Sequence, residues 1–72
     1  MTLKEKLNLL EEVLDVEKDS LGENTLLEEI EQWDSIAVIS TIAMLDNVFG
    51  KEAEPEKVKN ARTVKDILDL ME

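Results

Sequence analysis

No cysteine occurs anywhere in this 72-residue chain, and that absence constrains the fold more than any residue that is present. A chain this short buries only roughly 60% of the surface its unfolded form exposes. Small domains commonly offset that shortfall with disulfides or thiolate-bound metal. Neither is available here, so stability must come from efficient packing of a few amphipathic elements. Residues 1–72 have room for a single domain with one core. They have no room for a second domain or for an enzyme pocket with walls of its own.

Apolar spacing says what those elements are. Leu3, Leu7, Leu10 and Leu14 recur at helical intervals, and Leu9 and Val13 widen the stripe. This predicts a first helix over about 2–14, with Thr2 and Glu5 in the pattern of a capping box. The periodicity fades from 15 to 33, where Ser20, Gly22 and Asn24 interrupt it. Val16, Leu21, Leu26, Leu27 and Ile30 are too apolar for a free linker. An ordered loop is expected, pinned by Leu27 and Ile30, with one short helical turn in it.

A second helix is predicted over about 35–49, capped by Asp34 and stopped by Gly50. Pro55 suits the first position of a brief turn. Thr63 opens a last helix over about 64–71, with Val64, Ile67, Leu68 and Met71 inward. The fold class is all-α: a small four-helix bundle of three main helices and one short one. A long loop separates the first two.

The charge balance narrows the partners. Eighteen acidic and eight basic residues give a net charge of −10. Binding a nucleic acid backbone needs clustered Lys and Arg, so it is not expected. Anionic membrane surfaces are disfavoured for the same reason, and partners with basic patches are favoured. Met1-Thr2-Leu3-Lys4-Glu5 lacks the apolar run of a signal peptide, and no stretch has transmembrane length. A cytoplasmic monomer without stable membrane insertion is the expectation.

Catalysis is not expected either. The chain has no histidine, hence no imidazole base, and no thiol nucleophile. Carboxylates abound, but nothing suggests a shaped cleft to hold them. Asp15, Glu17 and Asp19 mimic the start of a calcium loop. That reading fails because Ser20 stands where the loop needs Gly, and Leu26 where it needs a bidentate Glu. No metal site is expected.

Attention therefore falls on Trp33-Asp34-Ser35-Ile36. This stretch places one hydroxyl where an acidic segment becomes an apolar helix. A serine there, without catalytic company, is either a second capping residue or a group that another protein modifies. The helix it opens has two apolar faces. Val38, Thr41, Ile42, Leu45 and Phe49 cluster on one side and are expected to pack inward. Ile36, Ile39 and Ala43 lie roughly opposite, with Ser40 and Asn47 beside them, where a surface helix would carry charge. That face is either covered by a neighbouring segment or open for docking.

Asp34-Ser35-Ile36, heading an apolar helix that ends at Phe49-Gly50, resembles the acyl carrier protein family, whose motif is usually Asp-Ser-Leu. The likeness covers nearly the whole chain. First helix, long loop, Asp-Ser start, Pro55 turn and Thr63-Val64 helix fall in the family's order. The resemblance implies that Ser35 receives 4′-phosphopantetheine from coenzyme A through a separate phosphopantetheinyl transferase, with Asp34 as motif residue and cap. The prosthetic thiol would then hold an acyl group as a thioester for acyl-loading and acyl-using enzymes of fatty-acid, polyketide or related biosynthesis. A borrowed thiol fits a chain with no cysteine. Room for a short acyl chain is expected near Ile42, Leu45 and Leu68.

Two departures from the family stand out. Many members carry Asp and Glu on the exposed side of the second helix, whereas Ala37, Ser40, Ala43 and Asn47 occupy it here. The partner face is therefore expected to be Trp33, Ile36, Ala37, Ile39, Ser40, Ala43 and Asn47, more apolar and less salt-dependent than usual. Trp33 also stands where small residues are frequent. It would cover the helix base, join the docking surface, or anchor the loop end. A D-alanyl carrier shares this fold and chemistry. A peptidyl carrier usually has Gly-Gly-x-Ser surroundings, which Gln32-Trp33-Asp34 lacks. The reading from another class is an unmodified helical interaction domain with Ser35 as a cap only.

Overall fold

Thr2 opens the first helix, α1, Leu3–Leu14. In the computed structural model, which describes residues 1–71, its hydroxyl accepts the Glu5 amide at 3.2 Å and the Glu5 carboxylate accepts the Thr2 amide at 3.1 Å. The capping box read from the sequence is thus closed at both ends. The helix stops at Asp15, whose left-handed backbone (φ 58°) turns its amide back to the Glu11 and Glu12 carbonyls. A short polar side chain tolerates that conformation better than most.

The stripe of α1 is core only from its second turn onward. Leu10 and Leu14 are buried, Leu7, Leu9 and Val13 are half-buried, and Leu3 is exposed. Glu11 is also buried, at 2% exposure. Its two carboxylate oxygens accept the amides of Asp19 and Leu21, each at 2.9 Å. A buried carboxylate is costly unless its oxygens are satisfied. Here they are satisfied by backbone groups of the loop, so Glu11 ties the first part of the loop to α1.

A second tie fixes the rest of the loop. The Leu27 amide donates to the Arg62 carbonyl at 2.8 Å, the Val64 amide to Thr25 at 2.9 Å and the Lys65 amide to Glu23 at 3.0 Å. Leu26 and Thr63 thereby form an isolated antiparallel bridge. No strand forms among the described residues. Leu27 then starts a short 3₁₀ turn, Leu27–Glu29, with its side chain in the core, and Ile30 is half-buried behind it. The expected pins are the ones used.

Helix α2, Ser35–Phe49, ends at Gly50, whose amide returns to the Leu45 and Asp46 carbonyls. Gly50 has φ 64°, and a β-carbon there would meet nothing. Backbone conformation, not space, is what favours glycine at this stop. Helix α3, Pro55–Lys59, has proline in its first turn, and α4, Val64–Leu70, follows Thr63. Met71 caps α4 rather than extending it, and its side chain is buried. At α4 the Asp66 carboxylate accepts the amides of Arg62 and Thr63, at 2.9 and 3.1 Å.

The core joins all four helices and the loop: Leu10, Leu27, Leu45, Val58, Val64 and Ile67 have no more than 1% exposure. Burying each such side chain contributes about 1.5–3 kcal/mol. The all-α small bundle with a long first loop is therefore the fold. The inward face of α2 is turned from the expected one, since Ala37, Thr41, Met44 and Leu45 are the buried set. Val38, Ile42 and Phe49 are only half-buried. The Thr41 hydroxyl is sealed in the core with no hydrogen-bond partner among the described residues.

Candidate functional site at the start of α2

From Leu27 the chain steps down to α2 through successive turns. The Ile30 amide bonds the Leu27 carbonyl, and the Trp33 amide bonds the Ile30 carbonyl, both at 3.0 Å. Asp34 follows in extended conformation, and its carboxylate accepts the Ala37 amide at 2.9 Å. Its own carbonyl receives the Val38 amide at 3.0 Å. Ser35 is thus the first residue of a well-capped helix, and it is exposed.

The chain has three serines, and their settings differ. The Ser20 hydroxyl donates to the Glu17 carbonyl. Ser40 is half-buried inside α2. Ser35 alone of the three combines exposure with a helix start, and its hydroxyl has no hydrogen bond among the described residues. Asp34 engages the third amide of the helix, and those of Ser35 and Ile36 have no acceptor among the described residues. Open amides at the positive end of a helix suit an added phosphate.

Beside Ser35 lies a hollow of about 380 Å³, lined by Trp33, Asp34, Ser35, Val38, Ile39 and Lys59. Its walls are largely apolar, and one cation stands at its edge. This donor set fits a phosphodiester at Ser35 followed by a less polar arm. Trp33, half-buried and packed against the core, also lines a second hollow of about 540 Å³ with Leu26, Leu27, Glu28, Lys59, Ala61 and Arg62. It anchors the loop end and contributes to the surface beside Ser35.

The expected partner face is brought together in part. Ile36 is 73% exposed and Ile39 is 66% exposed, with Ala43 and Asn47 exposed further along α2. Ser40 is half-buried between them. Ala37 is a correction: it is 5% exposed and belongs to the core. It stands four residues before Thr41, on the stripe that continues to Met44 and Leu45, so it turns toward the interior. The expected acyl room is also corrected. Leu45 is sealed in the core, while Ile42 and Leu68 open onto separate hollows.

Two residues gain roles that the sequence does not announce, Glu11 in the loop tie and Lys59 beside Ser35. For Glu11 the usable signal is its place between Leu7 and Leu14 on the apolar stripe. Lys59 carried no signal, because its nearness to Ser35 comes from the docking of α3 on α2.

A small helical bundle that presents a lone serine at a capped helix start is the build of a carrier domain modified by another enzyme. Residues 7–71 match the phosphopantetheine attachment site family. The chain belongs to that family, and its cofactor is a covalently attached 4′-phosphopantetheine. It is similar to the acyl carrier protein of Coprothermobacter proteolyticus, 29% identical over 66 residues, which span 90% of this chain and 79% of that one. No solved structure gives a significant match. Family membership displaces the reading of an unmodified interaction domain. No helix among the described residues is long and apolar enough to cross a membrane.

Proposed function

We propose that Ser35 is the attachment point and that the chain is an acyl carrier. It holds acyl intermediates as thioesters on the prosthetic thiol and presents them to separate loading and transforming enzymes. The observation that carries this reading is the free, exposed Ser35 hydroxyl at the head of α2. When bound, the group supplies the thiol that a chain without cysteine lacks. The chain has no histidine, and the carboxylate beside Ser35, that of Asp34, is engaged with the Ala37 amide, so a base of the transferase takes the hydroxyl proton. The residues here position the oxygen: Asp34 holds the first turn, and the Leu27–Ile30–Trp33 turns set its approach.

Partner enzymes dock on the exposed side of α2, with Ile36 and Ile39 as apolar anchors and Ala43 and Asn47 beyond. Asp46 is the acidic residue along this helix after Asp34. Docking is therefore mainly apolar, and affinity for a cognate enzyme should change little across a salt series. A steep loss of affinity with salt would count against this face.

The attachment test uses coenzyme A and a broad-specificity phosphopantetheinyl transferase, read by intact mass. Wild type and Ser40→Ala should each gain one phosphopantetheinyl group, and Ser35→Ala none. Addition to Ser35→Ala would overturn the assignment.

A further inference from the structure

We propose that Lys59 is the counter-ion of the prosthetic phosphodiester, and that it seats the first part of the arm in the hollow between α2 and α3. This rests on Ser35 being the attachment point. Lys59 lies in the last turn of α3, far from Ser35 in sequence, yet both line the same hollow. It is the single cation among the residues that line it; the other charged residue there is Asp34. Asp34 cannot favour a phosphodiester, because like charges repel, and the chain as a whole carries a net charge of −10. A phosphodiester on Ser35 therefore has only the open amides of α2 to set against this repulsion, and a nearby cation adds to them.

Lys59 is available for that role. Its side chain has no ion pair or hydrogen bond among the described residues. It stands where two hollows meet, since it and Trp33 line both. The second hollow also contains Glu28 and Arg62, so Glu28 has a basic residue there besides Lys59. A lysine on a flexible stem can turn from that side to the phosphodiester without any change of fold. Beyond the phosphodiester, Trp33, Val38 and Ile39 offer apolar wall to the paired methyl groups of the pantetheine arm. Cation and apolar wall together would hold the first part of the arm in this hollow.

The test uses the holo protein, with loading verified first by mass. Wild type, Lys59→Gln and Lys57→Gln are compared by ³¹P NMR and by NOEs from the arm's methyl groups to the Trp33 indole. Lys57 is on the same helix and does not line the hollow. Wild type and Lys57→Gln should share one ³¹P shift and show the NOEs. Lys59→Gln should show a displaced ³¹P signal and lose the NOEs. Raising salt toward 1 M, where the screening length falls to about 3 Å, should move wild type toward the Lys59→Gln signal. Identical ³¹P shifts and NOEs in all three loaded proteins would overturn the proposal and leave the Ser35 assignment intact. Failure of wild type to load would instead remove the Ser35 assignment, and this proposal with it.

Discussion

Helices α4 and α2 begin in opposite ways. At α4 the chain supplies its own acid: Asp66 gathers the amides of Arg62 and Thr63, and the Thr63 hydroxyl takes the Asp66 amide at 3.3 Å. At α2 the cap is Asp34 alone, and there is no acid in the first turn. The position that holds Asp66 in α4 holds buried Ala37 in α2. Each start carries one carboxylate, but Asp66 gathers two amides and is joined by a capping hydroxyl, whereas Asp34 takes one amide and leaves an exposed serine beside it. The difference separates a start that only needs to be stable from one that, with Ser35 as the proposed attachment point, also accepts a modification.

The strongest challenge to this contrast is to give α2 the acid that α4 has. Ala37→Glu should lower stability by about 3 kcal/mol in denaturant unfolding, because the new carboxylate enters a packed interior. An unchanged midpoint would mean that α2 tolerates a completed box, and the contrast would fail. Next come the caps. Asp34→Ala should cost about 1–2 kcal/mol in the apo protein, since no other side chain serves that turn. Thr63→Ala should cost less, about 0.5–1 kcal/mol, because Asp66 still holds two amides. The reverse order would show that Asp34 is the lesser cap.

The smallest effect is in pH. Hydrogen bonds from the Arg62 amide, then the Thr63 amide, hold the Asp66 carboxyl below its ordinary value. Glu5 is lowered in the same way, first by the Thr2 amide. A carboxyl lowered on folding contributes stability above its unfolded pKa, near about 3.9 for aspartate. That contribution is lost as pH falls through the lower folded value. NMR titration should place the Asp66 midpoint below the ordinary aspartate range, and Asp66→Asn should lose slightly less stability than wild type below about pH 4. Both carboxyls are exposed, so solvent keeps the effect small.

Much of this architecture could be read from the sequence because helix ends are local. Thr2 with Glu5, Asp34, Gly50, Pro55 and Thr63 each act on residues within a turn, and each performs the expected role. Ser35 was visible for the same reason. What escaped depends on distant packing. Which part of the apolar side of α2 turns fully inward is set by its neighbours, so Ala37 joins Thr41 and Leu45 in the core while Val38 and Ile42 are only half-buried. Glu11 gained its role from amides of the loop, and Lys59 from the fold of α3 onto α2. Each of these meets its partner only once the bundle is closed.

The bridge between Leu26 and Thr63 links the final form of the loop to a late-made part of the chain. The loop leading to Ser35 is tied to backbone that a ribosome makes much later, at Arg62, Val64 and Lys65. A nascent chain that has already exposed its serine has not yet gained the bonds that set the approach to it. On the attachment proposed for Ser35, a transferase that reads the folded start of α2 meets it in final form only once residues 62–65 have joined the loop.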